Sequence, residues 1–307
     1  MAIEKLWVEK YRPNNIDDYV WRDEDQKNQV MKWINAKSIP HILLSGSAGT
    51  GKTTLAKVLV KALDIDSYDF LQINASRDNG IDFIRDKLEG FVQTMPFGEF
   101  KVVLLDEADY LTHNAQSVMR GLMEAYSETA RFILTCNFPN KIINPLHSRC
   151  QGFHIEKLDR VEFTARVATI LIEENVIFDM EVLDSYVTAT YPDLRKCLNS
   201  IQAACIDREL HRPNVDSGAT GDYKIAVVEL FREGRVRDAR KMLCSQVRPD
   251  EIDEVFRWMY DNLELWGDTP EKQDKAIVII RNGLINHSMV ADTEINLSAT
   301  LIELTDI

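Results

Sequence analysis

The chain has 307 residues, 45% of them apolar, which is enough for two or three domains with sizeable cores. No apolar run reaches the roughly 18 residues of a membrane span, and the charged opening MAIEKLWVEKYRP lacks a secretory apolar core. A soluble cytoplasmic protein with no membrane partner is the expectation. The net charge of −13 opposes bulk attraction to nucleic acid, so any DNA contact has to come from a local basic patch or from helix N-termini.

The first half alternates short apolar runs with helix-like stretches. Residues 41–45 (HILLS), 70–73 (FLQI), 101–105 (KVVLL) and 131–135 (RFILT) read as buried strands. Residues 53–63, 80–95 and 114–126 between them have helical length and spacing. That alternation predicts a mostly parallel sheet covered on both faces. From about residue 158 the strands are expected to stop. Helical patterns then run over 159–175, 179–191, 193–208, 222–232, 235–245, 250–264, 270–289 and 292–304. Pro213, Gly218 and Gly221 punctuate a polar stretch that reads as a boundary. The expectation is an α/β domain over 1–157 and two small helical domains over 158–220 and 221–307. Cys136, Cys150, Cys197, Cys205 and Cys244 are scattered without a CxxC pair, which argues against a zinc site or a disulfide framework.

Gly46, Ser47, Ala48, Gly49, Thr50, Gly51, Lys52 and Thr53 spell GSAGTGKT after an apolar strand and before a helix that continues with Thr54. This is the P-loop pattern in the context it needs. Its glycines let backbone N–H groups converge on phosphates at a helix N-terminus, where the partial charge is positive. Lys52 is placed to reach the outer phosphates, and the Thr53 hydroxyl to ligate Mg2+. The second motif is Asp106–Glu107–Ala108–Asp109, at the mouth of the 101–105 strand. Burying two acids there is costly without a task. Asp106 as a Mg2+ ligand and Glu107 as polariser of the attacking water supply one. As bare residues the acids are also readable as helix N-caps, and Asp109 as a capping or solvated residue.

Taken in order, WVEKYRP at 7–13, GSAGTGKTT, NASRDNGID at 74–82, LLDEAD, CNFPNKIINPLHSRC at 136–150 and YPDLRKCLNSIQ at 191–202 resemble the ATPase subunits of sliding-clamp loaders, of the replication factor C and T4-type phage kinds. The resemblance covers roughly residues 6–205. It implies an AAA+ P-loop domain, a small helical lid and a C-terminal helical collar for oligomerisation. It implies an ATPase using ATP and Mg2+, active in a homo- or hetero-oligomer, pentameric in the family. Its partners would be other loader subunits, a ring-shaped sliding clamp and primer–template DNA gripped without sequence preference.

By the same resemblance, Arg149 in Ser148–Arg149–Cys150 is a finger reaching a neighbouring subunit's ATP, a role suited to a guanidinium. Asn137 is the sensor of the γ-phosphate and Arg195 the cis sensor on the lid. Val8, Tyr11, Arg12 and Pro13 would line the adenine and ribose side, with Val20 as an apolar wall and backbone contacts at Glu9 and Lys10. As bare residues, Asn137 is a turn former, and Arg149 and Arg195 are ordinary surface charges. Candidate DNA contacts are Arg77, Asn79, Arg85, Gln116 and Arg120. Against these stand helix-spaced pairings of Arg85 with Asp82 or Glu89 and of Arg120 with Glu124; Gln116 has a second reading as a coupler between DNA and the ATP site.

Gly121 stands where cellular members carry a second arginine, and MEAYS at 123–127 with the acidic charge leans to the phage branch, which would put the protein in a host cytoplasm. Two rivals remain: another oligomeric AAA+ machine, such as a DNA motor or protein remodeller, and a loader subunit that binds nucleotide without turning it over. The intact Lys52, Thr53, Asp106 and Glu107 oppose the second.

Overall fold

The computed structural model describes residues 5–77, 80–155, 158–212, 223–247, 251–287 and 289–306. The chain divides into two compact units, one of Met1–Ile170 with Pro192–Asn199, the other of Leu171–Tyr191 with Ser200–Ile307.

The first unit is built on five parallel strands: β1 (Ile42–Ser45), β2 (Phe70–Asn74), β3 (Lys101–Asp106), β4 (Ala130–Cys136) and β5 (Gln151–His154), in the order β2-β3-β4-β1-β5. Four of these match the apolar runs. β5 was not expected: only Phe153 of its four residues is buried, so it carries no apolar run. The sheet's helices are α1 (Trp7–Lys10), α2 (Glu24–Asn35), α3 (Lys52–Ala62), α4 (Ile81–Val92), α5 (His113–Ala125) and α6 (Asn144–His147). Helix α2 also escaped the sequence reading. Asp23 caps it by accepting the Gln26 N–H, but only Gln26 and Val30 of its twelve residues are buried.

Side-chain alternation along the strands explains why both faces need cover. Leu43, Val103, Leu105, Phe132 and Leu134 join Ile84 and Leu88 of α4 and Ala115, Met119 and Leu122 of α5 in one buried cluster. The residues of opposite parity, Ile42, Leu44, Val102, Leu104 and Ile133, are also at most 2% exposed. Helix α3, with Leu55 and Leu59 buried, contacts β3 and β4 and supplies cover for them.

The second unit is mostly helical: α8 (Met180–Thr190), α10 (Tyr223–Arg232), α11 (Val236–Gln246), α12 (Ile252–Asp261), α13 (Pro270–His287) and α14 (Thr293–Thr305). α7 (Arg160–Glu173) and α9 (Leu194–Ala204) run from one unit into the other. One expectation is corrected here. Strands do not stop at 158, because β6 (Cys205–Ile206) and β7 (Glu209–Leu210) form a short antiparallel hairpin. Asp207 and Arg208 at its turn both take positive φ, which a two-residue hairpin requires. The punctuated stretch around Pro213, Gly218 and Gly221 lies outside the described residues. Among the described residues no helix is long and apolar enough to cross a membrane.

Candidate nucleotide-binding and hydrolysis site

Strand order decides which groups can meet. β4 lies between β1 and β3, all three parallel, so the P-loop after β1, the acidic turn after β3 and the segment after β4 leave the same edge of the sheet.

The loop of residues 46–51 links β1 to α3. Gly46 has φ +151°, and a Cβ there would lie 2.0 Å from the Ile155 carbonyl oxygen. Gly49 has φ +76°, and its Cβ would lie 1.8 Å from Asp193 Oδ1. Only glycine fits either place. Helix α3 begins at Lys52, and the first-turn N–H groups of a helix have no intrahelical partner, which makes its start an anion site. Lys52 is 8% exposed; its Nζ donates to the Gly46 carbonyl at 2.9 Å and the Ser47 carbonyl at 2.6 Å. Burial holds its pKa below the ordinary lysine value, against the pull of Asp109 and Asp106.

Thr53 Oγ1 donates to Asp106 Oδ1 at 2.6 Å, joining the start of α3 to the end of β3. The next residue, Glu107, takes φ 58° and ψ 43°. A non-glycine residue in this left-handed region costs on the order of 1–3 kcal/mol and needs support from its surroundings. Thr135 supplies some: it donates to Asp106 Oδ1 at 2.6 Å and accepts the Glu107 N–H at 3.0 Å. Cys136 follows, its thiol pushed up to about 12 by burial and then by the Asp109 carboxylate, so it stays protonated at neutral pH. Asn137 comes next and is half-buried. Asp109 is 7% exposed and accepts the N–H groups of Asn137 at 3.2 Å and Phe138 at 3.1 Å. The solvated reading of Asp109 is therefore corrected: it pins the turn that carries Asn137.

Lys52, Thr53, Asp106, Glu107, Thr135 and Asn137 line one polar cleft of about 490 Å³, with Ala48, Gly49, Gly51, Thr54, Cys136 and Arg195 completing its wall. A second, more apolar cleft of about 580 Å³ shares Gly49, Gly51, Thr54 and Arg195 with it. Val8, Tyr11, Arg12, Pro13 and Val20 line this cleft, with Thr50 and with Tyr19, Leu158, Leu194 and Leu198, none of which the sequence reading had placed there. The buried Tyr19 hydroxyl lies 3.4 Å from the Thr50 carbonyl oxygen. Glu9 and Lys10 are outside the lining and exposed, and the Glu9 carboxylate is paired with Arg12 at 2.7 Å. Arg195, in the first turn of α9, faces both clefts.

Two predicted groups stand apart. Arg149 does not line either cleft of its own chain. Its guanidinium pairs with the Glu124 carboxylate of α5 and donates to the Pro145 carbonyl at 2.7 Å. Gln116 is 2% exposed, and its amide donates to the carbonyls of Leu111 (3.2 Å) and Lys141 (3.0 Å) and accepts the Ile143 N–H (2.9 Å). A direct DNA contact by Gln116 is thus corrected: the side chain is occupied in tying α5 to the 139–143 segment. Arg77, Arg85 and Arg120 are exposed and form no ion pair among the described residues. The Arg120–Glu124 pairing does not form, because Glu124 is taken by Arg149. Arg85 and Arg120 sit on α4 and α5, which pack together. Asn79 lies outside the described residues.

Among the described residues no three His, Cys, Asp or Glu side chains cluster as a protein-only metal cage. A lone carboxylate beside a threonine hydroxyl is the donor set that suits Mg2+, which keeps waters and takes its remaining ligands from phosphates.

A P-loop, an acidic pair and a polar residue after three adjacent strands of a parallel sheet define a P-loop ATPase site. The family model "ATPase family associated with various cellular activities (AAA)" matches residues 42–157. The replication factor C small subunit of Methanococcus vannielii is 35% identical over 98% of this chain and 99% of its own length. That of Saccharolobus solfataricus is 35% identical over 99% and 84%, and that of Sulfurisphaera tokodaii 44% identical over 67% and 64%. Among solved structures, the RuvB Holliday junction branch migration motor of Thermotoga maritima shares the fold with a TM-score of 0.58 at 14% identity, covering 82% of this chain and 91% of its own. The chain belongs to the replication factor C small subunit family, the AAA+ ATPase subunits of clamp loaders.

Proposed function

We propose that the chain works in an oligomer, with each ATP bound in the clefts of one subunit and completed by Arg149 of a neighbour. The ATP-bound assembly would hold a ring-shaped clamp open around primer–template DNA, and hydrolysis would release the closed clamp. One observation carries this reading. Lys52, Thr53, Asp106, Glu107 and Asn137 converge on a single cleft, while Arg149 points elsewhere within its own chain. Lys52 and Arg195 supply cations within the cleft, and Arg149, which lines neither cleft of its own chain, would add a third from a neighbouring copy.

In this reading the apolar cleft takes the adenine and ribose, and the backbone N–H groups from Gly49 to Thr54 take the phosphates. Thr53 and Asp106 would hold Mg2+, which when bound neutralises charge on the phosphate oxygens. Lys52 leaves its carbonyl partners for the outer phosphates. Glu107 accepts hydrogen from the attacking water, Asn137 orients it, and Arg195 joins the base end to the phosphate end. The Arg149 guanidinium stabilises charge on the transferring phosphoryl group.

Contacts with partners follow the same logic. Arg77, Arg85 and Arg120 would meet DNA phosphates, giving affinity without base preference. Gln116 would transmit that contact from α5 to the segment after β4. The clamp would need an apolar anchor; Met95 and Phe97 are each 80% exposed, and the Phe97 ring lies 5.6 Å from that of Tyr68, which is 74% exposed. Functionally the chain would divide into a nucleotide-binding domain (1–157), a lid (158–220) and a collar (221–307), although by contacts 158–170 and 192–199 group with the first unit. Exposed Ile285, Ile295 and Ile302 on α13 and α14 support the collar's role in assembly. A phage-type lineage rests on MEAYS and the acidic charge alone.

The test is phosphate release by the assembled complex, with and without primer–template DNA and clamp, and with Glu107→Gln as control. Stimulation that needs both partners, lost in the control, is expected. Turnover indifferent to both would point to a different AAA+ machine.

A further inference from the structure

We propose that Thr135 is a positioning residue for hydrolysis, with one hydroxyl setting both the metal-side carboxylate Asp106 and the water-side residue Glu107. The inference rests on the roles given above to those two acids.

A threonine hydroxyl has one hydrogen to donate and lone pairs to accept with. Here the donation goes to Asp106 Oδ1 at 2.6 Å and the acceptance is from the Glu107 N–H at 3.0 Å. Thr135 is 1% exposed, so water does not compete for either bond. The strand around it is Phe132, Ile133, Leu134 and then Cys136, every one buried. Valine has the same branched shape and would pack equally well there. The hydroxyl therefore serves the two acids rather than the core.

The two bonds have different effects. Asp106 Oδ1 receives hydroxyls from Thr53 and Thr135 together, which fixes the carboxylate against rotation. The bond to Glu107 N holds a non-glycine residue at φ 58°, a conformation that relaxes without support. Thr135 is paired with Leu44 of β1 and directly follows Leu134, which is paired with both β1 and β3, so it has little freedom to shift. Outer partners of a metal-ligating carboxylate act through such orientation, and their loss typically costs about 10–100-fold in activity or metal affinity.

The experiment compares wild type, Thr135→Val, Thr135→Ser and Glu107→Gln in the assembled full-length complex. Steady-state hydrolysis gives kcat and KM, and Mn2+ affinity of the nucleotide-bound protein is read by electron paramagnetic resonance. Thr135→Val should lower kcat about 10–100-fold with KM for ATP within about threefold, and weaken Mn2+ binding about tenfold. Thr135→Ser should return both to within about threefold of wild type, since it restores the hydroxyl. Wild-type kcat and Mn2+ affinity in Thr135→Val overturn the proposal, and so does a loss that serine does not repair, which would mark a packing role. Wild-type turnover in Glu107→Gln would instead strike the role of Glu107, leaving Mn2+ affinity in Thr135→Val to decide the Asp106 half.

Discussion

The Asp109 carboxylate accepts the backbone N–H of Asn137 at 3.2 Å, so a residue in the turn after β3 holds the turn after β4. The same oxygen takes the Phe138 N–H, while Asp109 Oδ1 is buried without a hydrogen-bond partner among the described residues. Asp109→Ala strands two N–H groups, each worth about 1–3 kcal/mol if left unsatisfied. Denaturant unfolding should show a loss of roughly 2–4 kcal/mol, and kcat should fall further than ATP affinity because Asn137 is no longer held.

Two glycine substitutions should diverge sharply. In Gly46→Ala the new methyl would meet the Ile155 backbone carbonyl at 2.0 Å, which no rotamer change relieves. ATP binding, followed with a fluorescent analogue, should fall at least tenfold, with overpacking costing about 1–3 kcal/mol or more of stability. Gly121→Ala has nothing within 4 Å of its Cβ and lies inside α5. It should gain about 0.5–1 kcal/mol through helix propensity and leave ATP binding unchanged.

Arg149 and Glu124 form a pair with side chains 33% and 49% exposed, which places it among weak surface ion pairs of about 0–1 kcal/mol. Arg149→Ala should therefore melt near wild type and bind ATP normally. In complexes assembled wholly from this variant, hydrolysis should fall about 10³-fold or more, as expected on loss of a finger arginine. Undiminished DNA-stimulated turnover would remove Arg149 from the mechanism.

His41 supplies a pH signature. Its Nδ1 accepts the Phe132 N–H at 3.1 Å, and burial, with Arg131 nearby, lowers its pKa from 6.5 to about 4. The folded state thus favours the neutral ring. Its contribution is present in full above pH 6.5 and is lost as pH falls from 6.5 towards 4, where the unfolded chain takes up a proton the folded one refuses. Thermal melts of wild type and His41→Asn across that window should differ in slope, wild type losing stability faster on acidification.

What the sequence made legible was whatever had a long local pattern. The four apolar strands, the P-loop and the acidic pair each carry their signal within a few neighbouring residues. β5 did not, because an edge strand with one buried side chain lacks both the alternation and the apolar run that mark a strand. Thr135 was hidden for the opposite reason: in RFILTC it reads as one more β-branched strand residue, and its task depends on register with β3. Gln116 looked like a polar helix residue available to DNA, since nothing local reveals that the 139–143 segment passes over it. Residues 192–199 group with the α/β unit although they lie beyond its sequence boundary at 157. Contacts at long range in the chain decide all of these.

The central place of β4 has a consequence for dynamics. An amide in a strand bonded on both sides exchanges its hydrogen only when the sheet around it opens, and such openings approach global unfolding in cost. The amides of Phe132, Ile133 and Leu134, in the central strand, should then be the slowest to exchange with deuterium, while those of the exposed α2 and the α4 C-terminus exchange sooner. The precision of the hydrolytic groups would thus be drawn from the most durable part of the domain, so that loosening a partner-facing helix need not blur the chemistry.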